Sequence, residues 1–282
     1  MDYKRILTIQ DISCVGQCSL TVALPILSAC GIETAILPSA VLSNHTGGFS
    51  GWTFADLTEE IPKIRGQWEK ENIMFEGVYT GYLGSAKQID YVLDVVKSRL
   101  APKGKFICDP AMADNGKLYA GFDDNFVKAM KKLAVSADII LPNITEACFI
   151  TGTEYRESYD RAYIDGLLGK LAEIGAKTVI LTGVSYNADS TGVVVYENGE
   201  YFYYKHKKIA GGCHGTGDVY ASAFTGALVS GENGISAADA AKIAADFTLS
   251  CIEYTIGDKD HWYGVKFEPL LGELIKAVGV YA

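Results

Sequence analysis

The feature that most constrains the fold is an alternation of short apolar runs with segments of helical periodicity along the first two thirds of the chain. Six strands are predicted, at residues 5–9, 34–37, 78–80, 106–108, 138–141 and 178–181. Four helices are predicted between them, at residues 19–30, 87–100, 125–133 and 163–174. Strands that alternate with helices pair in parallel through right-handed crossovers. The sequence therefore predicts an α/β fold around a parallel sheet.

The last third of the chain follows a different pattern. Two strand-like runs, residues 192–196 and 201–205, flank Asn198-Gly199, which is a typical hairpin turn. Three helices are predicted after the hairpin, at residues 215–229, 237–254 and 268–278. The chain contains no internal repeat and no linker rich in Pro, Ser or Gly. We therefore expect residues 1–282 to form a single domain.

Composition and charge exclude several classes of protein. Of 282 residues, 49% are hydrophobic and 21% are charged, which is typical of a chain with a large core. The formal net charge is −9 and no run of Lys or Arg occurs, so we expect no nucleic-acid partner and no anionic membrane surface. No apolar run is long enough to span a membrane, and residues 1–9 lack the pattern of a secretory signal peptide.

Cysteine usage predicts the compartment. The chain has seven cysteines, an odd number, at positions 14, 18, 30, 108, 148, 213 and 251. They form neither a Cys-x-x-Cys pair nor a zinc-ligand spacing. Scattered cysteines of this kind are typical of a reducing compartment, so we expect a cytoplasmic protein.

Candidate functional residues follow the predicted strands. In an open parallel sheet, ligands bind at the carboxyl ends of the strands, so polar residues at those ends are the first candidates. The candidates are Asp11, Asp109, Asn143 with Glu146, Thr182 and the Gly-rich stretch 211–218.

The Gly-rich stretch opens directly into a predicted helix that begins with Asp218. Glycines allow a tight turn that aims successive backbone N–H groups at one point, and a helix N-terminus favours negative charge, so this turn can bind an anion. Asp218 has two interpretations from the residues alone. It can be a carboxylate that stabilises the helix N-terminus, or it can be a base beside a bound phosphate.

Six motifs, taken in chain order, resemble those of the pyridoxal kinases, the vitamin B6 kinases of the ribokinase-like superfamily. They are Ile6-Leu7-Thr8-Ile9-Gln10, Ser43-Asn44-His45-Thr46-Gly47, Thr80-Gly81-Tyr82-Leu83-Gly84-Ser85, Cys108-Asp109-Pro110, Pro142-Asn143-x-x-Glu146 and Gly215-Thr216-Gly217-Asp218-Val219-Tyr220-Ala221. Gly-x-Gly-Asp and Asn-x-x-Glu are shared across the superfamily. Ser-Asn-His-Thr and Gly-Tyr-Leu-Gly-Ser are more particular to the vitamin B6 kinases.

The resemblance implies a fold and a reaction. The fold would be a three-layer α/β/α sandwich whose mostly parallel sheet is followed by a C-terminal hairpin and helices. The reaction would be phosphoryl transfer from ATP to the 5′-hydroxymethyl group of pyridoxal, pyridoxine or pyridoxamine. ATP and Mg²⁺ would be required, the need for a monovalent cation stays open, and members of the family are commonly homodimers.

The resemblance also assigns a role to each matching residue. Asp218 would be the base, and the N–H groups of Gly215, Thr216 and Gly217 would face the transferring phosphate. Asp109 and Glu146 would hold Mg²⁺, partly through water. The nucleotide side would include Asn143 and Thr182, and the substrate side would include Asp11, Thr46 and Tyr82.

Departures from the family pattern leave alternatives open. Asp11 stands where family members often have Ser, and the lid-like segment 112–121 contains no Cys. Cys213-His214 is similar to the hydroxymethylpyrimidine kinase branch, and a Cys beside a helix N-terminus can have a lowered pKa or can simply be packed. Asn143 with Glu146 can be a helix-capping pair. The alternative functions are a hydroxymethylpyrimidine kinase and a regulator that binds a vitamer or nucleotide without catalysis.

Overall fold

A computed structural model describes residues 4–230 and 235–280. The strands in these residues are β1 (Arg5–Ser13), β2 (Glu33–Leu42), β3 (Phe54–Asp56), β4 (Phe75–Thr80), β5 (Leu100–Cys108), β6 (Ala113–Asp114), β7 (Lys117–Leu118), β8 (Ile139–Ile140), β9 (Thr178–Val184), β10 (Ser190–Glu197) and β11 (Glu200–Lys207). Nine of them form one sheet in the order β11-β10-β9-β8-β5-β4-β1-β2-β3, and β6 pairs with β7 in a separate small hairpin. The six central strands are parallel, and the pairings of β3, β10 and β11 are antiparallel.

Helices cover both faces of this sheet. They are α1 (Leu20–Ala29), α2 (Ile61–Lys70), α3 (Ala86–Arg99), α4 (Asp124–Ser136), α5 (Ile144–Thr151), α6 (Arg161–Glu173), α7 (Thr216–Ser230), α8 (Ala237–Thr255) and α9 (Leu271–Val278). Buried side chains of α1, α7, α8 and α9 pack on one face, and those of α2 to α6 pack on the other. The three-layer α/β/α architecture predicted from the sequence is therefore confirmed.

The central strands contribute side chains to both cores. Ile107 packs in the core beneath α1 and α7, whereas its neighbours Phe106 and Cys108 pack in the opposite core. This is the alternation that a pleated strand imposes, and burial on both faces produces a continuous apolar run instead of an alternating one. That is why the central strands could be found from the sequence.

Several elements were not predicted, each for a local reason. Helix α2 contains Pro62 at its start and Gly66 within it, and Ile61 is its only fully buried residue, so its helical signal is weak. Helix α5 has eight residues that are buried on most sides, so it shows no periodicity. Strand β3 and the β6–β7 hairpin are two or three residues long. The predicted last helix begins later, because residues 268–270 form a 3₁₀ turn.

The strand order places a crevice beside β1. Strands β2 and β3 lie on one side of β1, and β4 with all later strands of this sheet lies on the other side, so the direction of sheet growth reverses at β1. The carboxyl ends of parallel strands at such a switch point form the usual ligand crevice of an open α/β sheet. Within residues 4–230 and 235–280 no helix is long and apolar enough to cross a bilayer.

Candidate active site

The end of β1 places a buried carboxylate in the crevice. Asp11 is 4% exposed, and its Oδ2 accepts a hydrogen bond from the Ser13 hydroxyl at 3.0 Å. Burial raises the pKa of Asp11, while hydrogen bonds from Ser19 and Ser13 oppose that rise. Tyr82 follows β4, and burial together with the negative charge of Asp11 raises its pKa. Asp11 and Tyr82 therefore occupy one neighbourhood at the switch point.

Asp218 lies in the first turn of α7 and faces the loop after β1. Its carboxylate accepts hydrogen bonds from the Ser19 backbone N–H and from the Cys18 thiol. Burial, and next the negative charge of Asp11, raises the pKa of Asp218 to about 7. A carboxylate with a pKa near neutrality is suited to accept a proton at physiological pH.

The Gly-rich loop before α7 has a conformation that only glycine adopts easily. Gly215 has φ +80°, and a Cβ added to it would lie 1.6 Å from the carbonyl oxygen of Gln17. The loop after β1 and the Gly-rich loop therefore touch backbone to backbone. Because the first N–H groups of a helix have no partner within the helix, the residues that open α7 present free donors beside Asp218.

Asp109 follows β5 and brings a third carboxylate to the same edge of the sheet. Its backbone N–H donates to the carbonyl oxygen of Thr80 at 2.9 Å, which fixes the turn after the strand. Burial raises the pKa of Asp109 well above its usual range, and the negative charges of Glu146 and Asp218 raise it further. Carboxylates that start from three separate elements therefore repel one another at this edge.

Asn143 and Glu146 form a capping box at the start of α5. The Asn143 side chain accepts from the Glu146 N–H at 2.9 Å, and a Glu146 oxygen accepts from the Asn143 N–H at 2.8 Å. The other Glu146 oxygen accepts from the Met112 N–H at 3.2 Å, and the Asn143 amide donates to Ala113 O at 2.8 Å. The capping interpretation is confirmed. Burial nevertheless raises the pKa of Glu146 to about 8 despite these donors.

The carboxylates fit a magnesium ion that keeps some of its water. Among residues 4–230 and 235–280, Asp109, Glu146 and Asp218 make no ion pair with Lys, Arg or His. The same part of the chain has no group of three His, Cys, Asp or Glu side chains arranged to hold a metal alone. Mg²⁺ prefers one or two carboxylates with water and phosphate oxygens, which matches this donor set. Asp109 and Glu146 are the residues that could hold it.

The remaining candidates are Thr182 and Thr46. Thr182, near the end of β9, is half-buried and its N–H donates to the carbonyl oxygen of Pro142 at 2.9 Å, so it lies beside the start of α5. Thr46 is exposed in the loop between β2 and β3, next to the buried His45. Among the described residues, Thr46 makes no hydrogen bond to any of the other candidate residues. Its position is known from the adjacent His45.

Sequence reasoning missed several residues of the site. Ser19 has φ +56°, and this unusual backbone directs its N–H toward Asp218, which no sequence pattern signals. Tyr119 follows the β6–β7 hairpin and is 42% exposed, and its partial burial together with the charges of Glu146 and Asp109 raises its pKa. The lowered pKa considered for Cys213 is contradicted, because burial raises the pKa of this thiol. Cys213 instead packs against the core under α7.

Comparisons with known proteins agree with this arrangement. The family model described as phosphomethylpyrimidine kinase matches residues 34–264. A candidate phosphomethylpyrimidine kinase from Bacteroides thetaiotaomicron, crystallised with pyridoxal, is 37% identical with a TM-score of 0.90, over 97% of this chain and 96% of that one. Pyridoxal kinase from Lactobacillus plantarum is 30% identical with a TM-score of 0.89, over 99% of both chains. Pyridoxal kinase from Dictyostelium discoideum is 28% identical over 79% of this chain and 77% of its own.

The contact at Gly215 predicts opposite effects for two neighbouring substitutions. Gly215→Ala should lower the free energy of unfolding by about 1–3 kcal/mol, because the new methyl group would overlap Gln17 O and the positive φ is strained. Gly217→Ala is the matched control, since nothing lies within 4 Å of its added Cβ. Placed inside α7, that alanine should leave stability unchanged or raise it slightly. Urea denaturation measures both, and equal effects would contradict the tight packing at Gly215.

Proposed function

The chain belongs to the phosphomethylpyrimidine kinase family, and from this premise we propose that it transfers the γ-phosphoryl group of ATP to the 5′-hydroxymethyl group of pyridoxal, pyridoxine or pyridoxamine. The observation that carries the proposal is the meeting of Asp109, Glu146 and Asp218 beside the first turn of α7. The resemblance to pyridoxal kinases, and the relative that was crystallised with pyridoxal, support the choice of acceptor.

Asp218 is the base of the proposed reaction. The 5′-oxygen of the vitamer attacks the γ-phosphorus, and the bond from that phosphorus to the β–γ bridging oxygen breaks, so that ADP leaves. The hydroxyl proton passes to Asp218. Burial and Asp11 keep the pKa of Asp218 about 7, which suits a group that takes up a proton and then returns it to water.

The loop before α7 stabilises the transferring phosphate. The N–H groups of Gly215, Thr216 and Gly217 are directed at the charge that spreads over the phosphoryl oxygens during transfer. The chain places no Lys or Arg within residues 211–218, so backbone donors supply this stabilisation. The partial positive charge of the α7 N-terminus adds to it.

Asp109 and Glu146 would hold Mg²⁺ on the nucleotide side. The ion would neutralise phosphate charge that the chain itself does not compensate. Asn143 serves the same site indirectly, because its side-chain oxygen accepts from the Glu146 N–H and its side-chain NH2 group donates to the carbonyl oxygen of Ala113. Thr182 and the hairpin that follows it line the nucleotide.

Asp11, Thr46 and Tyr82 form the side that receives the pyridine ring. The Asp11 carboxylate can accept a hydrogen bond from the ring phenol or from a protonated ring nitrogen. Its charge also reaches Asp218, so the ring side and the base are electrostatically linked.

Hydroxymethylpyrimidine phosphorylation is the second candidate function, because the matching family model carries that description. The acceptor is again a hydroxymethyl group on a nitrogen-containing aromatic ring.

A catalytically silent regulator is the third candidate, and the presence of Asp109, Glu146 and Asp218 argues against it. A coupled assay of ADP release with pyridoxal, pyridoxine, pyridoxamine and hydroxymethylpyrimidine separates the three. Highest kcat/KM for a B6 vitamer supports the proposal, and turnover of the pyrimidine alone contradicts it.

The proposal extends to assembly and location. We infer a cytoplasmic homodimer, as the resemblance implies. All seven cysteines are free thiols, which suits a reducing compartment.

The edge strand β3 offers a surface for a second copy of the chain. Its Phe54 is 48% exposed and lies close to the exposed Trp52, so this edge has apolar surface that a second copy could cover. The coupled assay of ADP release, repeated with K⁺ exchanged for Na⁺, tests whether the reaction requires a particular monovalent cation.

Loss of the Glu146 charge should raise the Mg²⁺ requirement. Glu146→Gln keeps an oxygen for the capping box, so α5 should stay folded, but the ion loses a negative ligand. We expect the Mg²⁺ concentration for half-maximal rate to rise more than the KM for pyridoxal. Glu173→Gln, an exposed charge loss on α6, is the control. An unchanged Mg²⁺ titration would reduce Glu146 to a helix cap.

Replacing Asp11 should change both ring preference and the pH profile. Asp11→Ser should leave folding and ATP binding nearly intact but shift the ratios of kcat/KM among the four acceptors. Because Asp11 raises the pKa of Asp218, its removal should also move the acidic limb of the profile to lower pH. Asp11→Asn keeps the acceptor for Ser13 without the charge and should move the limb in the same direction. Unchanged ratios and an unchanged limb would remove Asp11 from the ring site.

Asp218→Asn should abolish most of the chemical step. The amide keeps the size of the side chain but cannot accept the proton, so we expect kcat to fall by ~10²–10⁴-fold while both substrates bind within several-fold. If Asp218 only stabilised the helix, its loss would cost ~0.3–1 kcal/mol of stability and little turnover. Asp124→Asn in the first turn of α4 is the control for that effect. Single-turnover rates of phosphoryl transfer distinguish the two roles. Transfer by Asp218→Asn at nearly the wild-type rate would contradict the assignment of Asp218 as the base.

A further inference from the structure

Four segments of the chain meet at His45, a residue to which the proposed reaction assigns no role. They are the loop after β1 (residues 14–19), the loop after β2 (residues 43–51), the Gly-rich loop (residues 211–217) and the segment after α8 (residues 257–266). His45 is only 5% exposed. A buried polar ring at such a junction needs partners, and the structure shows them.

The ring of His45 joins two of these segments through hydrogen bonds. Its Nδ1 accepts from the Gly47 N–H at 3.1 Å, and its Nε2 lies 2.5 Å from the carbonyl oxygen of Tyr263. The Gly47 N–H can only donate, so Nδ1 carries no proton. The ring proton is therefore on Nε2 and is donated to Tyr263. Both nitrogens are occupied by the protein itself, so neither is free to act on a substrate.

His45 also touches the other two segments. Its backbone N–H donates to Val15 O at 3.2 Å, and its ring packs against the His214 ring with centroids 5.2 Å apart. His214 directly precedes Gly215, and its carbonyl oxygen accepts from the Val265 N–H at 3.0 Å. The loop after β2, which carries Thr46, and the Gly-rich loop are thus joined through the side chain of His45 and its neighbours.

Glycines allow the segments around the ring to approach one another closely. A Cβ on Gly16 would lie 2.0 Å from His45 Cδ2, and a Cβ on Gly47 would lie 2.8 Å from His214 Nδ1. A Cβ on Gly264 would lie 2.6 Å from Gln17 Cβ. Glycine therefore lets the segments approach one another at three places, and at two of them, Gly16 and Gly47, the His45 ring is among the nearest neighbours.

We propose that His45 is a positioning residue that holds the loop of Thr46 and the Gly-rich loop in one fixed arrangement. This rests on the proposed function, because Thr46 is assigned there to the vitamer and Gly215 to Gly217 to the phosphate. His45 acts on turnover through these neighbours. Small displacements of reacting groups lower rates strongly, so a loosened junction would reduce transfer even though no reacting atom touches the ring.

The test compares His45→Phe, which keeps a flat ring without hydrogen bonds, with His45→Gln, whose amide offers both a donor and an acceptor. In His45→Phe we expect kcat/KM for the vitamer to fall by about ten- to a hundredfold, while the KM for MgATP changes by less than about threefold. His45→Gln should recover part of that loss. Tyr91→Phe on α3, which packs on the face of the sheet opposite to α7, should behave as wild type.

Two measurements on the protein without substrates judge the proposal independently of activity. Hydrogen exchange in His45→Phe should increase in residues 43–51 and 211–217 and stay unchanged in β4 and β5. Nitrogen NMR of the wild type should show the His45 proton on Nε2. Unchanged exchange in both loops, or a proton on Nδ1, would overturn the positioning role. Wild-type protein that phosphorylates no vitamer would instead overturn the proposed function. The hydrogen-exchange comparison would then still test whether His45 holds the two loops.

Discussion

The concentration of negative charge at one edge of the sheet is the constraint on which the rest of the site depends. Asp109, Glu146 and Asp218 are contributed by three different elements, and burial raises the pKa of each. Charged groups with this much burial and mutual repulsion are costly unless a cation or hydrogen-bond donors compensate them. The chain supplies donors from its backbone, and the magnesium–nucleotide complex would supply the cation. In the proposed reaction the substrate complex would therefore balance the charge of the site.

The fold provides the rigidity that such a site requires. Parallel strands buried on both faces end at the same edge, and the reversal of strand order at β1 opens the crevice there. Helix α7 brings the Gly-rich loop to that crevice, where Gly215 contacts the loop after β1. The capping box of α5 fixes Glu146 by backbone hydrogen bonds. One pair of residues thus stabilises a helix and, in the proposed reaction, would also orient a ligand for the ion, so the capping and functional interpretations of Asn143 and Glu146 are compatible.

Much of this arrangement could be predicted from the sequence, and the exceptions have physical causes. Apolar runs reveal the central strands, and strand ends then predict the neighbourhoods of Asp11, Asp109 and Glu146, because parallel strands share an edge. The hydrogen bond from Ser19 to Asp218 could not be predicted, since it depends on a positive φ at a residue that is not glycine. Neither could the contacts of His45, which join segments far apart in the chain. Short or evenly buried helices such as α5 lack the periodicity on which sequence analysis relies.

The identity of the product tests the central claim most directly. Wild-type protein incubated with ATP, Mg²⁺ and pyridoxal can be followed by phosphorus NMR, in which coupling to the neighbouring methylene protons identifies a phosphate ester on the 5′-carbon. We predict one new ester signal, assigned to pyridoxal 5′-phosphate, that grows at the same rate as ADP. Formation of ADP with inorganic phosphate alone, or an ester that forms only when hydroxymethylpyrimidine replaces pyridoxal, would contradict the account.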